Sequence, residues 1–161
     1  MKAQFSTSDL YDAFIKRCSS CETQFKQYGG RREFCGRIRT VKCLDDNVLL
    51  RQVLETPSDG EVLVVDGGAH LGSALLGDMI AAIGAKSGWS GVIIFGAIRD
   101  VGALAKMDFG VKALGSNPQK SAKNGAGCID EAVAFGGVVF TPGHWLYSDD
   151  DGIIVSSDKL V

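Results

Sequence analysis

Two apolar runs joined by a glycine-rich bend constrain this chain more than any other feature. Glu61-Val62-Leu63-Val64-Val65-Asp66 and Gly91-Val92-Ile93-Ile94-Phe95 are near-continuously hydrophobic, the pattern of strands buried on both faces. Between them, Gly67-Gly68-Ala69-His70-Leu71-Gly72 is a bend. Leu76, Met79, Ile80 and Ile83 then recur at three- and four-residue spacing, which predicts a helix that stops near Gly88. Strand, bend, helix and strand in that order suit an α/β sheet. In such sheets ligands gather beyond the carboxyl ends of strands. The bend after Asp66 and the segment Gly96-Ala97-Ile98-Arg99-Asp100 therefore present their groups at one edge.

The flanking sequence completes a mixed α/β domain. Residues 8–18 read as a short helix capped by Ser8 or Asp9, with Leu10, Phe14 and Ile15 on one face. Gly36 to Cys43 alternates as a half-buried strand does, and Val48–Leu54 reads as helical. A short helix around Val101–Met107 and a strand around Val111–Leu114 follow. Residues 117–127 are polar and glycine-rich, hence a loop. Val138–Phe140, Trp145–Tyr147 and Ile153–Val155 read as closing strands, the last two joined by a turn at Asp149-Asp150-Asp151-Gly152. The 161 residues suit one domain, 1–161, large enough to bury about 70% of its unfolded surface without staples. No apolar run approaches the ~20 residues of a membrane span, and the first residues lack a signal core. Both point to the cytoplasm.

Several chemistries are disfavoured. The bend lacks G-x-G-x-x-G and Gly-Lys-Ser/Thr, so it does not read as a nucleotide loop. A small anion suits the free N–H groups of a helix start better. The net charge of −2 argues against broad nucleic-acid binding, although Lys26, Arg31, Arg32, Arg37, Arg39 and Lys42 lie close together in sequence. The five cysteines fit neither a disulfide framework nor a zinc cluster, and Cys18-Ser19-Ser20-Cys21 reads as incidental or buried thiols. Arg99-Asp100 is a surface ion pair or a functional pair. It becomes the second only if the helix start faces it.

Residues Val62–Gly68, Ala74–Asp78 and the run from Gly88-Trp89 to Asp100 resemble the RraA-like family. So do Tyr28-Gly29-Gly30-Arg31 and Thr40–Asn47 in the first third, and Phe135–Val138 with Tyr147-Ser148-Asp149 in the last. The most specific element is an aspartate, twenty residues, then Arg-Asp: Asp78, residues 79–98, Arg99 and Asp100.

The resemblance implies a swivelling β/β/α-like α/β domain with a mixed sheet, assembled as a homotrimer. It implies substrate binding by Gly77, Asp78, Met79 and Ile80, largely through backbone. Arg99 and Asp78 are implied to be catalytic, and Asp100 to anchor a divalent cation, Mg²⁺ or Mn²⁺. The implied activity is a class II lyase passing through a pyruvate enolate. It would cleave 4-hydroxy-4-methyl-2-oxoglutarate and decarboxylate oxaloacetate. The family also implies an alternative, a protein that binds and inhibits ribonuclease E or an associated partner. Retention of Asp78, Arg99 and Asp100 favours the lyase. No methyl-donor motif is present. Where the family often has Gly-Ser-hydrophobic-Arg-Arg, this chain has Ala69-His70-Leu71-Gly72-Ser73. His70 then either replaces part of the missing arginines' function or fills space, and His144 reads as a loop residue.

Overall fold

The computed structural model describes residues 4–161. Its elements in chain order are α1 (Thr7–Ala13), β1 (Cys18–Ser20), β2 (Lys26–Gln27), β3 (Phe34–Lys42), α2 (Val48–Glu55), β4 (Val62–Asp66), β5 (Ala74–Leu76), α3 (Asp78–Lys86), β6 (Gly91–Ile98), α4 (Val101–Leu104), β7 (Gly110–Ser116), β8 (Cys128–Ile129), β9 (Val133–Phe135), β10 (Val138–Phe140), β11 (Trp145–Ser148) and β12 (Ile153–Ser156). One mixed sheet runs β1-β12-β11-β3-β4-β6-β7-β2, with β5 on β6 and β8 on β3. Its centre is parallel, since β3 pairs β4, β4 pairs β6 and β6 pairs β7 in that sense. The flanks are antiparallel, and β9 and β10 form a separate hairpin.

The apolar runs are continuous because both faces of the central strands are covered. Leu63 and Val65 of β4 join Val92 and Ile94 of β6 beneath α2 and α3, with Leu50, Leu54 and Phe109. Val62, Val64 and Ile93 point the other way, onto Phe34, Ile38, Phe135, Phe140, Leu146 and Ile153. A third cluster sits under α1, where Leu10 meets Tyr147, Ile154 and Leu160. The fold is thus a mixed α/β domain, as expected.

Two expected elements differ. The first helix ends at Ala13, with Ser6 as its cap. Cys18–Ser20 leaves the helical pattern to pair antiparallel with Ser156–Ile154, because a sheet edge satisfies its backbone groups better than a solvent-facing last turn does. The central helix begins at Asp78, two residues after Leu76. Leu76 belongs instead to β5, whose Ala74 and Leu76 pair with Ala97 and Ile98. Met79 correspondingly lies outside the apolar face, with 75% of its surface exposed.

The acidic turn after β11 anchors α1. Asp149 accepts from the Thr7 main-chain N–H at 2.7 Å and from the Thr7 hydroxyl at 2.6 Å. Burial pushes the Asp149 carboxyl up, but the bonds from Thr7, Asp151 and Gly152 outweigh it and hold the group below the usual carboxylate range. The Lys112 ammonium is buried nearby and donates to the Asp149 and Gly152 carbonyls. Desolvation pulls it below the ordinary lysine range, against the field of Asp149 and its acidic neighbours. Half of the basic stretch is neutralised, because Arg31 pairs with Asp108, Arg32 with Asp150 and Arg39 with Asp130.

Candidate active site

β6 outlasts β4. The β4 pairing stops at Phe95, and β5 takes up the vacated edge at Ala97 and Ile98. The start of α3, immediately after β5, is thereby carried to the carboxyl end of β6, where Arg99 and Asp100 emerge. The Arg99 N–H donates to the Leu76 carbonyl at 2.9 Å, extending this pairing into the site.

Asp100 sits at φ +60°, a left-handed conformation that an L side chain adopts at a cost. Its carboxylate turns back over α3, and Oδ2 accepts from the Asp78 main-chain N–H at 3.0 Å. Gly77 leaves the space for this. A Cβ there would collide with Asp100 Oδ2 and lie 3.2 Å from Arg99 Cγ. Gly77 has φ −133° and ψ −165°, so glycine is needed for room and not for backbone freedom. The Arg-Asp pair is therefore no local surface ion pair, and no Arg99 ion pair occurs among the described residues.

The first intrahelical bond of α3 runs from Ala81 N to Gly77 O, which leaves the Asp78, Met79 and Ile80 N–H groups outside the helical ladder. Asp100 takes the first. The other two lack a helical partner, as the first amides of a helix do, and such amides suit a carboxylate. The Ile80 side chain is buried in the core and the Met79 side chain is exposed, so both offer backbone to the site. Gly77, Asp78, Arg99 and Asp100 are brought together.

His70 lies in the loop between β4 and β5, where its ring packs over Gly72. Its ring makes no hydrogen bond among the described residues. His144 lies in the turn before β11, with its N–H on the Thr141 carbonyl at 3.1 Å. The polar loop after β7 contributes more than its sequence suggested. Arg99 Nη1 donates to the Pro118 carbonyl at 3.4 Å. Behind it, buried Asp46 accepts from the main-chain N–H groups of Val48, Asn124 and Gly125. Burial raises the Asp46 carboxyl, but these bonds prevail and hold it below the ordinary range. Asp45 accepts from the Ser73 hydroxyl. The Asn117-Pro118 turn signal was the available clue to this loop.

The thiols lie elsewhere and are unpaired. Burial, with Asp46 and Asp66 nearby, pushes Cys43 up to about 12. Among the described residues, no three His, Cys, Asp or Glu side chains converge as a metal cage, and no helix is long and apolar enough to cross a membrane. Asp100 alone, exposed and with Oδ1 uncommitted, fits a hard cation that keeps most of its waters and does not fit structural zinc.

Residues 7–155 match the family model described as RraA-like, Aldolase/RraA. A protein of Aromatoleum aromaticum, provisionally named a 4-hydroxy-4-methyl-2-oxoglutarate aldolase, is 52% identical over 98% of this chain and 99% of its own length. A crystal structure from Geobacillus kaustophilus, described as an S-adenosylmethionine:2-dimethylmenaquinone methyltransferase, superposes with a TM-score of 0.95 at 46% identity, covering 97% of each chain. The RNA-processing inhibitor RraA of Thermus thermophilis superposes with a TM-score of 0.93 at 40% identity, over 97% of this chain and 94% of that one. With the family model spanning nearly the whole chain and these relatives matching end to end, the chain belongs to the RraA-like family.

Proposed function

We propose that this chain is a divalent-metal-dependent lyase that makes a pyruvate enolate, cleaving 4-hydroxy-4-methyl-2-oxoglutarate and decarboxylating oxaloacetate. The carrying observation is Asp100 itself. It is held in a left-handed conformation with one oxygen on the Asp78 N–H, beside Arg99 and two uncommitted amides. Strain of this kind at a strand end is a feature of functional sites. The name of the Aromatoleum relative supports the same reaction.

The chemistry follows from the groups present. The Met79 and Ile80 N–H groups receive the C1 carboxylate of the oxo-acid. In the aldol cleavage the C4 hydroxyl loses its proton, the C3–C4 bond breaks, and its electron pair passes through C3 to the C2 oxygen. One pyruvate leaves with C4 as its new carbonyl. The other forms when the enolate takes a proton at C3. In decarboxylation the same C3–C4 bond breaks and carbon dioxide leaves. Arg99 donates its planar fork to the oxygen that gains charge, an interaction stronger in the transition state than in the bound substrate. The Asp78 side chain, on the first residue of α3, is the candidate acceptor for the C4 hydroxyl proton. Mg²⁺ or Mn²⁺ at Asp100, when bound, supplies Lewis-acid polarisation of the 2-oxo group.

The deciding experiment is pyruvate release from both substrates with Mg²⁺, with Mn²⁺ and after chelation. Release that depends on metal is expected. No release from either substrate under any of these conditions overturns the reading. The second reading, inhibition of a ribonuclease E-type partner, is favoured by the likeness to the Thermus inhibitor. It is tested by adding the chain to such a nuclease. A homotrimer is proposed alongside, from family membership.

A further inference from the structure

Arg99 is exposed, and what holds its guanidinium is a main-chain oxygen, the Pro118 carbonyl 3.4 Å from Nη1. A long bond on an exposed side chain orients it only if the acceptor is itself fixed. That acceptor is fixed from both sides by Asn117. The Asn117 N–H donates to the Ile98 carbonyl at 3.0 Å, one residue before Arg99. Its side-chain Nδ2 donates to the Leu71 carbonyl at 2.9 Å, tying the turn to the β4–β5 loop. Its Oδ1 accepts from the Gln119 N–H at 2.9 Å, the closed turn that asparagine side chains make two residues on. Gln119 then accepts from the Ala74 N–H at 2.7 Å. Pro118 sits between these ties with its φ locked by the ring.

We propose that Asn117 is a positioning residue for Arg99. It holds the Pro118 carbonyl where that oxygen directs the guanidinium fork toward the start of α3. The assignment rests on Arg99 being the oxyanion donor proposed above. Both ends of the carboxamide are used, so no other residue type substitutes fully. Aspartate keeps the acceptor for Gln119 but loses the donor to Leu71. Alanine loses both. The acceptor on Arg99 is a carbonyl and not a carboxylate, which leaves the guanidinium charge uncancelled for the substrate.

The test uses the full chain with Asn117→Ala and Asn117→Asp, each alone and combined with Arg99→Lys. Supporting partners of functional groups typically contribute about 10–100-fold. Asn117→Ala is expected to lower kcat for oxaloacetate decarboxylation by about 10-fold at the lower end of that range, with KM changed much less. In the Arg99→Lys background the same change is expected to cost under about two-fold, because lysine has no planar fork to direct. An equal loss in both backgrounds marks a general structural effect and overturns the proposal. A second readout needs no activity. Nitrogen-15 relaxation of the Arg99 Nε–H is expected to show restricted motion in the wild type and free averaging in Asn117→Ala. Unchanged motion overturns the proposal even if the rate falls. If the wild type releases no pyruvate, the lyase reading fails, and the relaxation arm alone still decides whether Asn117 positions Arg99. Asn117→Asp serves for both readouts if the alanine variant does not fold.

Discussion

Gly77→Ala adds one methyl group to the candidate site and nothing else. Gly77 lies at φ −133° and ψ −165°, ordinary extended backbone for alanine, so the substitution brings no conformational strain of its own. The new Cβ meets Asp100 Oδ2 inside van der Waals distance and comes within 3.2 Å of Arg99 Cγ. The methyl cannot move, because Gly77 O already accepts the first α3 bond from Ala81 at 3.0 Å. The carboxylate must therefore swing away, and its 3.0 Å bond to the Asp78 N–H breaks. Water replaces that bond at both ends, since Asp100 is exposed. The stability loss should stay near 1 kcal/mol, a fall in Tm of about 2–4 °C for a chain of this size. The activity loss should be far larger, because an ångström of misplacement at reacting groups costs about 10²-fold. The assay pairs metal-dependent pyruvate release from oxaloacetate with a thermal melt. A variant that melts near the wild type and keeps its rate within about three-fold, a small change beside 10², would refute the assignment of Asp100 to the chemistry.

Asp100→Asn and Arg99→Lys should fail differently: the first should regain part of its rate at high Mg²⁺, while the second should lose about 10²–10³ in rate with no rescue by metal. Titration of metal against rate for both variants separates these outcomes, and wild-type behaviour in both removes the site. Asp149 is held below the usual carboxylate range in the fold. Its contribution to stability is therefore present above the unfolded pKa, near pH 4, and is lost as pH falls through the folded value; acid melts of Asp149→Asn should show a weakened dependence in that window. Cys43 should resist thiol reagents at neutral pH in the native state, since its thiol is pushed up to about 12, and Cys18→Ser with Cys21→Ser should leave pyruvate release within a few-fold. Light scattering should find three chains of 17.0 kDa together, and a monomer at micromolar concentration contradicts the trimer.

How far the sequence reveals the structure depends on where each residue's partners lie. β4 and β6 are readable because both faces are covered, which forces Val62 to Val65 and Val92 to Ile94 to be apolar without alternation. β1 and β8 are not readable. Cys18–Ser20 and Cys128–Ile129 are strands only because Ser156–Ile154 and Lys42–Val41 supply pairing from far along the chain. Leu76 has a helical spacing to Ile80 and Ile83, yet it pairs with Ile98, because that edge of β6 has lost β4. Asp78, Arg99 and Asp100 could be picked out only through the resemblance to the RraA-like family, since Arg99-Asp100 alone reads as a surface pair. The reversal of Asp100 onto the Asp78 N–H could not, since it depends on a φ of +60° and on the room left at Gly77. Asn117 was hidden for a related reason. Its side chain acts on backbone atoms of Leu71 and Gln119, and a backbone partner leaves no complementary residue type to notice.

The succession of β4 and β5 along one edge of β6 separates two requirements that usually compete. Residues 67–73 are clamped at both ends, by the pairing of Asp66 with Phe95 and of Ala74 with Ala97. Between the clamps, Gly68, Ala69, Leu71 and Gly72 are exposed and supply nothing to the apolar interior. The exposed side chains of this span can vary while the Leu71 carbonyl stays on Asn117 and the Ser73 hydroxyl stays on Asp45. The fold thus holds a span of exposed side chains between two fixed ends beside the candidate site, so the rim can be altered there without disturbing the central sheet.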